Sequence, residues 1–426
     1  MLRAVWILGV LFAIATLVQV AKKAERGQQA LVRWTPQLER LADGGDPYAR
    51  SESGAVASDG ADAGGEGFPG PPSAGLLLMP FARLGAVPGS VAFGVLKAVC
   101  AAFLLAVALR LAFEPSRVPW IAALLVLLGC ARVLASDMAH GNSNLVVAGA
   151  IAAAALAHAR RMEAMCGFWI ALAAGIKLTP ALFVVLFLVR RSRAGLIGAA
   201  SGALFAFAVL PGAAFGFAHG LELVRSWADQ MVVPYLEGRH VTLLQSEHTN
   251  QSLFGLGARL LTDSVAIAAR GTTWEHDVSI AVLHLGEGAF LWVHRVAALA
   301  VVAATAFVVA RPRARRDTLG VFALLALATV LVSERSWKQH YVVIALPLAY
   351  LAAEALESRG SARRLAAAAF ALAVLLVGAT GSGLLGDRGS DLAEAYGAFT
   401  VAALVLWATC AALHLRGPSA EPCGAA

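Results

Sequence analysis

Four polar clusters stand out in this otherwise apolar chain and hold the residue types that could do chemistry. Lys177 lies in a long run that is otherwise uncharged from Gly167 to Val189. An ionisable group at membrane depth is costly, so it calls for an anionic partner or a water-filled cavity; the plainer alternative is a lysine snorkelling outward from a helix end. Asp137-Met-Ala-His140-Gly141-Asn142-Ser143-Asn144 sets amides between two apolar runs, where they suit sugar hydroxyls or phosphate oxygens, or else simply turn the chain and cap the next helix. Ser333 to Tyr341 places Trp337, Lys338, Gln339 and His340 at another boundary, and Glu247 to Leu253 supplies Asn250 and Gln251, followed by Arg259. Amides, cations, imidazole and indole on one surface suit an anionic lipid headgroup that carries a sugar-like group. There is no HExxH, P-loop, CxxC pair or dinucleotide fingerprint. The spaced acids Asp43/Asp46 and Asp59/Asp62 read as loop acids, so no metal and no cofactor are called for.

The elements that position these clusters are membrane helices. Of the 426 residues 59% are hydrophobic and only 14% charged, with mean hydropathy +0.72, whereas a soluble domain carries about 25% charge. The net charge of +7 comes from arginines clustered between apolar runs, a pattern of membrane topology and not of a nucleic-acid-binding face. With about 20 apolar residues per crossing and shorter runs allowed as half-crossings, about twelve segments emerge: 4–21, 88–112, 118–136, 143–158, 165–176, 179–190, 194–215, 288–310, 318–333, 339–356, 364–385 and 395–415. This gives an all-α polytopic integral membrane protein forming a single domain over 1–426. Two long extracytoplasmic loops, 22–87 and 216–287, interrupt the segments. The first contains an amphipathic helix from Leu31 to Leu41 and a flexible Gly/Ser/Asp/Glu-rich tract at 51–67.

Arg117, Arg160-Arg161, Arg190-Arg191, Arg311 to Arg316, Arg363-Arg364 and Arg416 all fall on one side only if 165–176 and 179–190 are two short segments meeting at Lys177-Leu178-Thr179-Pro180. By the positive-inside tendency that side is cytoplasmic. The expected placement is then the inner membrane, both termini in the cytoplasm, the first segment a retained signal anchor and the active site extracytoplasmic. The five cysteines show neither disulfide nor metal-ligand spacing.

The order of these motifs resembles glycosyltransferase family 87 of the GT-C superfamily, the mannosyltransferase-like enzymes that use polyprenyl-phosphate sugars. Gly141-Asn142-Ser143-Asn144 is similar to the family's Gly-Gln-x-Asn element, Ile176-Lys177-Leu178-Thr179-Pro180 to its Ile-Lys-x-x-Pro element, and Asn250-Gln251-Ser252-Leu253 with Arg259 to its Asn-Gln-Ser-Leu run. Ser333, Ser336, Trp337, Gln339 and His340 resemble Ser-x-x-Ser-Trp-x-His-His, with Gln339 in place of a His. Gly44 to Tyr48 resembles the family's Gly-rich Tyr element. The resemblance implies a GT-C fold and a polyprenyl-phosphate sugar donor, with transfer, by inversion, of a sugar such as mannose to a lipid or glycan acceptor. Besides donor and acceptor, the expected partners are membrane lipids and not nucleic acid.

Such chemistry needs a carboxylate for the acceptor proton and cations or His for the departing phosphate. Lys177, His340, Lys338 and Arg259 are the expected phosphate stabilisers; Tyr48, His140, Asn142, Asn144, Asn250, Gln251, Trp337 and Gln339 complete the expected binding surface. The family's Asp, about eighteen residues before the Tyr, is replaced here by Ala30, so Asp46, or failing it Glu39 or Asp43, is expected to act as base. Two other readings stay open: a catalytically impaired homologue that binds lipid-linked sugars, and a transporter or flippase for a lipid-linked glycan.

Overall fold

The computed structural model describes residues 1–49, 68–114, 117–236, 246–313 and 315–416; the tract 51–67 lies outside them. Helices make up nearly all of it, and the isolated antiparallel bridge between Ile267 and Val278 is the only β-pairing among the described residues. Eight helices are long and apolar enough to cross a membrane: α1 (Leu2–Glu25), α4 (Ala86–Ala112), α5 (Trp120–His140), α9 (Arg193–Phe215), α12 (Glu287–Val309), α14 (Lys338–Glu357), α15 (Gly360–Gly378) and α17 (Ala398–Leu415). Five shorter apolar helices join them: α3 (Pro72–Ala82), α6 (Asn144–Ala159), α7 (Glu163–Ala174), α8 (Thr179–Val189) and α13 (Asp317–Val332). At 1.5 Å per residue these fall short of a 30 Å crossing on their own.

The break expected at Lys177 is present, between the end of α7 at Ala174 and the start of α8 at Thr179, where Pro180 enters the first turn. One difference concerns the C-terminal third. The apolar run expected to continue to 385 stops at Gly378, and Ser382–Ala395 forms α16, kinked at Gly386. Its glycines and its Asp387, Arg388, Asp391 and Glu394 obscure it in a hydropathy profile.

The loops also have helical content. In the first loop α2 (Ala30–Ala42) buries Leu31, Trp34, Leu38 and Leu41, the apolar stripe of an amphipathic helix. The second loop contributes α10 (Phe217–Trp227) and α11 (Leu253–Leu261). At the centre stand α13, buried almost throughout from Leu319 to Leu331, and α14, 83% of whose apolar window is buried. The outlying α1 is only 17% buried, so its apolar surface faces outward, as a lipid-facing helix requires.

The arginine clusters gather at one end of the bundle. There Arg190, closing α8, pairs with Asp317 at the start of α13; Arg313 and Arg316 pair with Glu354 near the end of α14; and the Arg316 Nε donates to the carbonyl of Ala112, where α4 ends. Lys177 precedes the opposite end of α8, and the Ser333–Tyr341 cluster joins the opposite ends of α13 and α14.

Close backbone packing fixes α7 against α9. A Cβ at Gly198 would fall 1.9 Å from the Ala164 carbonyl oxygen and one at Gly202 2.7 Å from that of Phe168, a small-xxx-small contact of the kind membrane helices use. Gly198→Leu is expected to cost about 1–3 kcal/mol or more through overpacking. The check is thermal unfolding in detergent, and a midpoint equal to wild type would show that α9 does not depend on this contact.

Candidate active site

The site is built where helix ends meet. α5 terminates at Gly141, whose φ of +79° suits glycine, and a Cβ there would lie 2.1 Å from Gln29 Oε1. Gln29 donates through Nε2 to the carbonyl of Ala139 at 2.8 Å, tying the start of α2 to the end of α5. Asn144 opens α6. Its amide donates to Asp137 Oδ1 at 3.0 Å, and its Oδ1 accepts from Lys177 Nζ at 2.9 Å. Behind it, Lys97 of α4 pairs with Asp137 at 2.9 Å, with side-chain exposures of 1% and 0%. A chain of Lys97, Asp137, Asn144 and Lys177 therefore fixes the position of the Lys177 ammonium from two helices away. Ser73 donates to the Gly175 carbonyl at 2.5 Å and holds the Lys177 turn against α3.

His340 lies in the first turn of α14. The Trp337 amide donates to its Nδ1 at 2.7 Å, so the neutral ring bears its proton on Nε2 and presents a donor. Trp337 sits between His140 and His340, with ring centroids 6.0 Å from each.

These groups line a cavity of about 460 Å³, within the range of small-ligand sites. Its cations are Arg33, Lys177 and Arg335; His140, His340, Asn142 and Trp337 add polar and aromatic surface; Trp34, Phe68 and Trp227 form an apolar wall. The Trp34 Nε1–H has no hydrogen-bond partner among the described residues, leaving a buried donor beside the cavity. An adjoining recess of about 30 Å³ is lined by Asn144, Lys177, Arg335 and His340. His140 and Trp337 also line a second chamber of about 730 Å³, together with Lys23, Arg132, Lys338, Gln339 and Glu247.

Of the residues expected from sequence, the structure thus brings His140, Asn142, Asn144, Lys177, Trp337 and His340 together around the cavity and its recess, and places Lys338 and Gln339 in the second chamber. Lys338 is paired there with Glu394 at 2.7 Å. The others are elsewhere. Asn250, Gln251 and Arg259 have no solvent exposure. Asn250 donates to the Glu334 carbonyl at 2.7 Å and accepts from the Ser336 amide at 3.0 Å; Gln251 donates to the Glu394 carbonyl and accepts from the Phe399 amide; Arg259 donates to the carbonyls of Ala395, Glu247 and Asn250. Burial pushes the Arg259 guanidinium down to about 9, which still leaves it charged at neutral pH. The three residues form a staple that holds 246–252 against the α13–α14 turn, satisfying backbone groups that would otherwise be stranded.

In the first loop Tyr48 is buried and donates to the Gly70 carbonyl at 2.7 Å, with its hydroxyl held well above the ordinary tyrosine range by burial and, second, by Asp46. Asp46 accepts from the Tyr48 amide at 2.8 Å and from Ser226 at 2.6 Å and does not line the cavity. Glu39 is on the exposed face of α2. Sequence reasoning left out Lys97, although the cost of a charge at membrane depth, applied within 88–112, would have found it. It also left out Arg33, Glu334 and Arg335 as site residues. His158, Glu163 and Cys166, whose potential ligand atoms lie within 4.8 Å of one another, sit where α6 meets α7, away from the cavity.

Over 292 residues, 65% of this chain and 59% of the relative, the sequence is 31% identical to the polyprenol-phosphate-mannose-dependent alpha-(1-2)-phosphatidylinositol mannoside mannosyltransferase of Mycobacterium tuberculosis. The chain thus spans less than two thirds of that relative's length. Among solved structures, ArnT from Cupriavidus metallidurans in the apo state aligns with a TM-score of 0.40 and 16% identity over 97% of this chain and 78% of that one. The same protein bound to undecaprenyl phosphate aligns with a TM-score of 0.36 and 16% identity over 96% and 77%. The description of glycosyltransferase family 87 matches residues 68–333, well over half of the chain and all of it from the Pro-rich start of α3 through Lys177 to Ser333. The chain belongs to glycosyltransferase family 87.

Proposed function

We propose that this protein is a membrane glycosyltransferase with a GT-C-type architecture that moves a sugar, such as mannose, from a polyprenyl-phosphate donor to a lipid or glycan acceptor with inversion. The observation that carries this is the convergence of Lys177, Arg33, Arg335 and a proton-bearing His340 Nε2 on one aromatic-walled cavity. Three cations and a neutral donor match a phosphate that gains negative charge as the glycosidic bond breaks. Trp34 and Trp337 supply flat apolar faces, and the Trp34 N–H a hydrogen bond, for a sugar ring. The second chamber, sharing His140 and Trp337 with the first, is assigned to the acceptor headgroup, so that its hydroxyl meets the sugar between the two. The positive-inside tendency, applied to the arginine-rich end, supports an extracytoplasmic position for both chambers.

The test is the purified full-length chain in proteoliposomes, given radiolabelled polyprenyl-phosphate mannose and extracted membrane lipids. Label recovered in a new lipid or glycan product supports the proposal. Tight donor binding without product would identify a non-catalytic homologue, and label crossing the bilayer unchanged would identify a flippase.

A further inference from the structure

In the transfer reaction proposed above the acceptor hydroxyl must lose a proton, and the position where the family resemblance puts the responsible acid is Ala30, preceded by Gln29, neither of which can accept it. Among the described residues that line the 460 Å³ cavity, Glu334 is the single carboxylate. Its backbone is pinned, because its carbonyl accepts from Asn250 Nδ2 at 2.7 Å and from Ser252 Oγ at 3.1 Å. Its carboxylate, by contrast, receives no hydrogen bond and forms no close ion pair among the described residues. Other carboxylates near the site are engaged: Asp46 with Tyr48 and Ser226, Asp137 with Lys97 and Asn144, Glu394 with Arg132 and Lys338, and Glu247, in the second chamber, with Thr249.

We infer that Glu334 is the general base that deprotonates the acceptor, on an element different from the one the family resemblance indicates. As the acceptor oxygen forms its bond to the sugar's anomeric carbon, the hydroxyl proton passes to a Glu334 carboxylate oxygen. The bond from that carbon to the phosphate oxygen breaks, its electron pair leaves with the polyprenyl phosphate, and Lys177 and His340 receive the charge. The neutral Glu334 then returns its proton to water. Burial holds the Glu334 carboxyl above the usual glutamate range, against the opposing pull of Arg335 and Arg295, which makes the carboxylate a better proton acceptor.

The experiment compares the wild-type chain with Glu334→Gln, Glu334→Asp and Glu334→Ala in the proteoliposome transfer assay, with donor affinity measured in parallel. Glu334→Gln is expected to lose at least about 10²-fold in kcat with donor affinity within threefold of wild type. Glu334→Asp is expected to retain partial activity, and added formate to restore part of the Glu334→Ala rate, which a purely structural role would not allow. Transfer by Glu334→Gln within threefold of wild type overturns the inference while leaving the transferase assignment standing, as does loss of transfer that follows Asp46→Asn or Glu247→Gln in its place. A wild-type chain that binds donor but transfers nothing overturns both.

Discussion

Replacing Lys177 by methionine is expected to lower sugar transfer about 10³-fold while the protein keeps its fold. The methionine preserves the aliphatic stem in the turn between α7 and α8 and removes only the ammonium that Asn144 orients at 2.9 Å. Loss of one preorganised donor to a developing oxyanion costs about 10²–10³ in kcat, and a full charge belongs at the upper end of that range. Donor affinity should fall by much less, because Arg33, Arg335 and His340 still face the same space. The check is single-turnover transfer beside equilibrium donor binding. An unchanged single-turnover rate would move the phosphate away from Lys177 and toward the arginines.

The second large effect is expected behind the cavity, at Asp137. Asp137→Ala leaves the Lys97 ammonium buried without its counter-ion, a change that costs about 3–5 kcal/mol where buried pairs have been broken. It also takes from Asn144 the acceptor that fixes its amide. Both stability and activity should therefore fall, seen as an earlier unfolding midpoint in detergent and slower transfer. The double variant Lys97→Met/Asp137→Leu separates the two roles. Replacing both charges with apolar side chains is expected to restore most of the stability, but not the rate, since Asn144 remains unanchored. Full recovery of both would make the pair a structural element with no bearing on Lys177.

The helical plan was legible in the sequence because hydropathy and length are local properties. The split of the 165–190 run followed from the arginines that flank it, since one crossing would have stranded a cluster on the wrong side. The core of the site was legible for a related reason: Lys177, His140, Asn144 and His340 are polar residues at the edges of apolar runs, where lipid gives them no reason to be. Two other features depend on distant contacts. The Lys97–Asp137 pair joins residues forty apart, and neither shows its partner to a reader of the chain. Asn250, Gln251 and Arg259 illustrate the opposite difficulty. The donors and acceptors that suit an amide or guanidinium to a sugar phosphate suit it equally to backbone carbonyls, and only the fold decides which it meets. Glu334 went unassigned because its neighbours drew attention to cations, while Asp46, adjoining the recognisable Tyr48, is bound up in a turn.

The way helix ends meet at the cavity has an electrostatic consequence. First turns or N-caps of α3, α6, α8 and α14 line it through Ala74, Ser143, Thr179 and Trp337, whereas the ends of α5, α7 and α13 reach it through His140, Ile176 and Ser333. Each helix end presents a partial charge of roughly half a unit, positive at the N-terminus and negative at the C-terminus, fading within a turn. The N-terminal turns beside Lys177 and His340 thus add positive partial charge from peptide dipoles, which no change of pH can titrate. Part of the anion attraction in this chamber therefore comes from the backbone and persists when a single side-chain cation is removed.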